Sequence, residues 1–163
     1  MSDTDDKRRI AVLQPRRVNV ISLADRVAKE RMCRVGNEVG YSLGRGVTRV
    51  SAKTRIQFMT HGLFVQLASE PENLLKSFSH VILDEAHERT VEIDLSLALL
   101  RIALQMKKKQ STKFNLIVCS ATISSSANEF ASFLNPSGQS KILKIDGNTY
   151  PVLVHYRPDL ELD

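Results

Sequence analysis

Val81-Ile82-Leu83-Asp84-Glu85-Ala86-His87-Glu88-Arg89 decides how this chain is read. Three apolar residues, two of them β-branched, run straight into adjacent carboxylates. A buried parallel strand that delivers acids to its carboxyl end has this pattern, and in open α/β sheets the ligand crevice lies beyond those ends. If the strand persists through the pair, Asp84 and Glu85 point to opposite sides, because side chains alternate along a strand. One acid can then hold a hydrated Mg²⁺ while its neighbour faces an attacking water. Nucleotide hydrolysis needs that division of labour, since its catalysis is mostly positioning and charge neutralisation. As an isolated pair, the two acids fit a solvated strand end better than a nucleotide site.

The surrounding composition is that of a soluble globular domain: 163 residues, 42% apolar and 25% charged, enough for one domain with a sizeable core. No apolar run approaches the roughly 18 residues of a membrane span, and residues 1–9 carry no apolar signal region, so the expected location is cytoplasmic or nuclear. Cys33 and Cys119 sit in apolar stretches and are expected to be reduced packing residues. His61, His80, His87 and His155 show no metal-ligand spacing. A net charge of +5 suits a polyanion partner, and equally a solvated basic surface. With no Trp and 6% aromatic residues, a stacking platform for bases is not evident, so nucleic acid would be met through its backbone.

Residues 10–13 form a short apolar strand closed by Gln14-Pro15, since the residue before proline is biased to extended structure. Arg16 and Arg17 follow, a pair that is either an exposed turn or a phosphate contact. Val20, Leu23, Ala24, Val27, Ala28 and Met32 then recur at helical steps, with Gly36 as the expected stop. Gly44-Arg45-Gly46 and Lys53-Thr54 invite a phosphate-loop reading, but no Gly precedes Lys53 and the segment leads into a strand at 55–60. A glycine-containing hairpin or loop fits better. Thr60-His61-Gly62 closes that strand and opens a helix over 63–68, broken at Glu70-Pro71. A lone histidine such as His61 is expected at the surface, without a role.

Residues 95–106 are apolar almost all round, the pattern of a helix packed deeply on a sheet, closed by three lysines at 107–109. Residues 116–119 read as the next buried strand, with Ser120-Ala121-Thr122 at its carboxyl end. Ser126 and Glu129 have capping-box spacing ahead of Phe130 and Phe133. Residues 141–145 and 152–156 read as strands split by the turn residues Asp146-Gly147-Asn148.

Asp84-Glu85-Ala86-His87-Glu88-Arg89 resembles the signature of the DEAH-box RNA helicases without a departure, and further motifs lie in that family's order. Gln14-Pro15-Arg16-Arg17-Val18 resembles its RNA-backbone motif. Val39-Gly40-Tyr41, a variable bend and Lys53-Thr54-Arg55-Ile56 are also similar. Thr60-His61-Gly62 resembles its Thr-acid-Gly, departing at His61. The resemblance covers about residues 8–156. It implies an α/β fold of RecA-like type, a mostly parallel sheet flanked by helices, here lacking the phosphate-loop strand. It also implies that Asp84 binds Mg²⁺ through water and that Glu85 orients or deprotonates the attacking water. His87 with Ser120, Ala121 and Thr122 would couple nucleotide state to RNA, and Gln14, Pro15, Arg16, Arg17, Thr60 and Gly62 would hold the RNA backbone. The implied cofactors are ATP and Mg²⁺ in the full-length parent; the implied partners are RNA, a second RecA-like domain and protein cofactors, with no membrane.

No Gly-x₄-Gly-Lys-Ser/Thr occurs in these 163 residues, so Asp84 and Glu85 are half of a nucleotide site. The expected organisation is a polar, disordered stretch at 1–9, a partial first RecA-like domain at 10–157 and the start of a linker at 158–163. Without a phosphate-loop strand, the strand at 116–119 is expected to become a sheet edge. Two functions fit: a fragment of an ATP-dependent RNA helicase that is inactive alone, or a non-catalytic RNA- or protein-binding module derived from such a domain.

Overall fold

A computed structural model of the protein describes residues 7–110, 113–121, 127–135 and 140–145. Strand β1 (Arg9–Gln14) alternates its side chains between two cores: Ala11 and Leu13 enter one, while Val12 packs on the other. Helix α1 (Arg17–Glu30) buries Val20, Ala24 and Ala28, a single stripe at four-residue steps. It ends six residues before the expected stop at Gly36, and Met32 is 95% exposed rather than on the buried stripe. The reason is a C-cap built on a non-glycine. Met32 takes a left-handed φ of 51°. Its N–H donates to Lys29 O and the Cys33 N–H to Ala28 O, the paired bonds of a Schellman cap.

Strands β2 (Val39–Ser42) and β3 (Thr48–Arg49) pair antiparallel around the Gly44-Arg45-Gly46 turn, where both glycines hold φ 77°. The segment is thus a hairpin, not a phosphate loop. Strand β4 (Ile56–Thr60) runs directly into helix α2 (His61–Leu67), whose Leu63 N–H donates to the capping Thr60 hydroxyl. Pro71, expected only to break a helix, instead starts one. It occupies the first turn of α3 (Pro71–Ser77), where a missing N–H does no harm. Strand β5 (Phe78–Leu83), helix α4 (Val91–Gln110), strand β6 (Asn115–Val118) and helix α5 (Ala127–Leu134) follow.

The six strands form one sheet in the order β3-β2-β4-β1-β5-β6, parallel throughout except for β2–β3. Helix α1 covers one face over Val39 and Phe58. The other helices cover the opposite face, where Met59, Phe64, Val81, Leu83, Ile93, Leu100 and Phe114 form the larger core. This is the mostly parallel α/β arrangement read from the sequence. Strand β6 stands at the outer edge, with Ile117 46% exposed. Both cysteines are free and half-buried.

Residues 141–145 form no strand and are exposed throughout. Their apolar pattern suits a sheet, but a strand needs a neighbour to take its backbone hydrogen bonds, and they have none in the sheet described. The expected strand at 152–156, the linker at 158–163, Thr122 and Ser126 lie outside the described residues, as do residues 1–6 of the expected polar terminus.

Candidate nucleotide and RNA site at the carboxyl edge

Four parallel strands finish level. Gln14 of β1 is registered with Thr60 of β4, Leu13 with Leu83 of β5, and Leu83 with Val118 of β6. The segments leaving their carboxyl ends therefore converge on one edge of the sheet. They bring together Pro15, Arg16 and Arg17 after β1, Gly62 after β4, the Asp84–His87 turn after β5, and Ser120 and Ala121 after β6.

Strand β5 stops at Leu83, before the acids, so strand alternation does not separate Asp84 from Glu85. A turn does. Glu85 sits in the left-handed region at φ 57°, ψ 36°, Arg89 at φ 48°, ψ 38°, and a single 3₁₀ turn (Ala86–Glu88) lies between them. Non-glycine residues in this conformation are uncommon and concentrate at functional sites. The turn is tied to its neighbours: the Asp84 N–H donates to Leu13 O, and the Ala86 N–H to Cys119 O.

The two carboxylates then meet different surroundings. The Asp84 carboxylate accepts from Gln14 Nε2 at 2.7 Å on one oxygen and from the Glu85 N–H at 2.9 Å on the other. The Glu85 carboxylate lies 3.4 Å from His87 Nδ1 and is 36% exposed. The same His87 nitrogen lies 3.2 Å from Ser120 Oγ, linking the turn to the end of β6. Burial, followed by the charge of Asp84, pushes the Cys119 thiol above its ordinary pKa. Gln14 is 2% exposed and its amide faces Asp84. Sequence reasoning placed it with the RNA contacts and missed this carboxylate-holding position. An uncharged amide before a proline gives no signal of what it will face across a strand.

Arg16 is exposed and pairs with Glu88 at 3.4 Å, and Arg17 is exposed beside it. A Cβ built on Gly62 would meet only Glu92 Cγ, at 4.0 Å. Among the described residues no group of three or more His, Cys, Asp or Glu could hold a metal ion. The single held carboxylate of Asp84 fits Mg²⁺ nonetheless, because that ion keeps several waters and is bound by one or two carboxylates plus substrate phosphates.

His61 overturns its expected surface position. It is 2% exposed, and among the described residues neither ring nitrogen has a hydrogen-bond partner of full geometry, with the Asp84 backbone close by. A signal existed: His61 lies three residues before the buried Phe64, on the same face of α2. Burial lowers its pKa from 6.5. The backbone of Asp84 and the charges of Glu92, Asp84 and Glu88 pull the other way without offsetting it. The unfolded chain therefore binds this proton more readily than the folded one, so the contribution is whole above about pH 6.5 and is lost as pH falls below it. The thermal midpoint is expected to drop between about pH 7.5 and about pH 5.5, and the drop should flatten in His61→Leu. An equal drop in the variant would assign the response to other groups.

Residues 2–130 match the family model described as DEAD/DEAH box helicase. The chain belongs to this helicase family. It is 39% identical over 160 residues to the Caenorhabditis elegans protein named "Probable ATP-dependent RNA helicase DHX35 homolog", covering 93% of this chain and 20% of that relative. The human "Probable ATP-dependent RNA helicase DHX35" is 38% identical over 161 residues, covering 94% and 22%. The Saccharomyces cerevisiae "Probable ATP-dependent RNA helicase DHR2" is 37% identical over 154 residues, covering 94% and 20%. The chain thus spans about a fifth of the length of these helicase relatives. Among the described residues no helix is long and apolar enough to cross a membrane.

Proposed function

We propose that this chain is part of the first motor domain of an ATP-dependent RNA helicase. The observation that carries the reading is the convergence of Asp84, Glu85, His87, Ser120, Arg16, Arg17 and Gly62 on one sheet edge. In this reading Asp84 holds Mg²⁺ through water, and the ion when bound neutralises phosphate charge. Glu85 orients or deprotonates the attacking water from its own side of the turn. His87 touches both Glu85 and Ser120 and so joins the acid turn to β6; with Thr122 these residues couple hydrolysis to RNA. Arg16, Arg17, Pro15, Thr60 and Gly62 line the path of the RNA backbone. Guanidinium groups suit phosphate through paired hydrogen bonds. A cytoplasmic or nuclear location fits this work.

A second reading is a non-catalytic RNA-binding module, which would rely on the exposed Arg16 and Arg17 without the acid turn.

Both the helicase reading and an RNA-binding module require backbone contacts. RNA binding by the chain is expected to be independent of sequence and to weaken steeply with salt, because each neutralised phosphate releases counterions. The double variant Arg16→Ala, Arg17→Ala should weaken binding alike for unrelated RNAs and reduce the salt slope by about 1–2. Filter binding or fluorescence anisotropy across a salt series reads both quantities. Unchanged affinity in the double variant would remove these arginines from the RNA path.

A further inference from the structure

The ion pair between Arg16 and Glu88 joins two parts of the site to which separate tasks were assigned. Arg16 follows β1, on the proposed RNA path. Glu88 ends the 3₁₀ turn that begins beside the carboxylates. Their contact is a single one, Arg16 Nη2 to Glu88 Oε1 at 3.4 Å, with the arginine side chain 72% and the glutamate side chain 27% exposed. The glutamate is the better fixed partner. Its N–H donates to Glu85 O at 3.0 Å, and left-handed residues bound its turn on both sides.

We propose that Glu88 competes with RNA phosphate for Arg16, so that RNA binding opens this ion pair and frees the carboxylate on the acid turn. The inference rests on the proposed placing of RNA along Arg16 and Arg17. A phosphate offers the guanidinium two oxygens and can use both, giving a shorter, bidentate contact in place of one long one. The carboxylate also repels an approaching phosphate for as long as it stays beside the arginine. An exposed ion pair is worth at most about 1 kcal/mol, so the competition can be overcome by RNA and is limited to about fivefold in affinity. The coupling is reciprocal: whatever displaces the Glu88 turn must change RNA affinity at Arg16 by the same factor.

The test uses the chain itself and a short fluorescein-labelled oligouridylate at low salt. Glu88→Gln is expected to tighten binding by about three- to fivefold. Glu72→Gln removes the same charge from an exposed position on α3, the helix that leads into the amino end of β5, and should tighten binding by less. In an Arg16→Ala background the extra gain from Glu88→Gln should vanish, leaving the two carboxylate variants equal. Equal gains in the native background would overturn the competition, as would a gain that survives loss of Arg16. Weaker binding in Glu88→Gln would show that the carboxylate positions the arginine instead. If Arg16→Ala weakens binding while these comparisons fail, RNA lies on Arg16 but Glu88 does not oppose it. A chain that binds no oligouridylate overturns both the RNA path and the competition.

Discussion

Joined to a phosphate loop and a second motor domain taken from a helicase relative, the chain is expected to lose function in two distinct ways at its adjacent acids. Glu85→Gln should lower ATP turnover by roughly 10²–10⁴-fold, the usual worth of a positioned general base, while nucleotide affinity stays nearly unchanged. Asp84→Asn should weaken Mg²⁺-dependent nucleotide binding as well as turnover, because a metal-held phosphate contact operates before the bond breaks. The geometry supports the split. Both oxygens of Asp84 are held, one by Gln14 and one by the Glu85 N–H, whereas the Glu85 carboxylate faces His87 and is partly open. Nucleotide affinity with and without Mg²⁺, measured beside steady-state turnover, separates the two outcomes. Equal losses of affinity in both variants would mean one shared acidic cradle and would end the separation of roles.

The second large effect is structural. Gly40 lies in β2, and a Cβ there would stand 2.4 Å from the backbone oxygen of Arg49, 3.0 Å from Val50 Cγ1 and 3.2 Å from Thr54 Cγ2. A backbone carbonyl cannot rotate aside as a side chain can, so Gly40→Ala must move the β2–β3 hairpin. The expected loss is about 3 kcal/mol, the upper part of the overpacking range. For a chain of this size that lowers the thermal midpoint by roughly 6–12 °C. Gly44→Ala is the comparison. Its φ of 77° disfavours a side chain, yet nothing lies within 4 Å, so its loss should be about 1 kcal/mol, the left-handed penalty alone. Equal midpoints in the two variants would show that the hairpin yields without cost.

The sheet and its acids were legible because the apolar runs at 81–83 and 116–119 end at polar residues whose types constrain the chemistry. What escaped depends on contacts between segments far apart in sequence. Nothing local to Gly40 announces a carbonyl nine residues on, and nothing local to Gln14 announces Asp84, seventy residues away. Pro71 carries two meanings, breaker and first-turn residue, and only the burial of Leu74 and Leu75 selects the second. Met32 fits the helical repeat, but a Schellman cap overrides the pattern. His61 was misplaced because its polarity outweighed the apolar face it shares with Phe64. The roles proposed for Asp84, Glu85 and the arginines came from the family motif, since charge alone left each of them open.

The position of β1 bears on how the chain is made. Although it precedes both of them in sequence, it lies between β4 and β5, and both neighbours are synthesised later. With β1 starting at Arg9 and β5 at Phe78, a ribosome moving at roughly 5–20 residues per second leaves about 3–14 s during which the second edge of β1 has no partner. Through that interval Ala11 and Leu13, which end fully buried, belong to a strand with open hydrogen-bonding groups. Translation speed between these codons, rather than final stability, then governs how much of the chain is lost to other nascent strands before its own sheet can close.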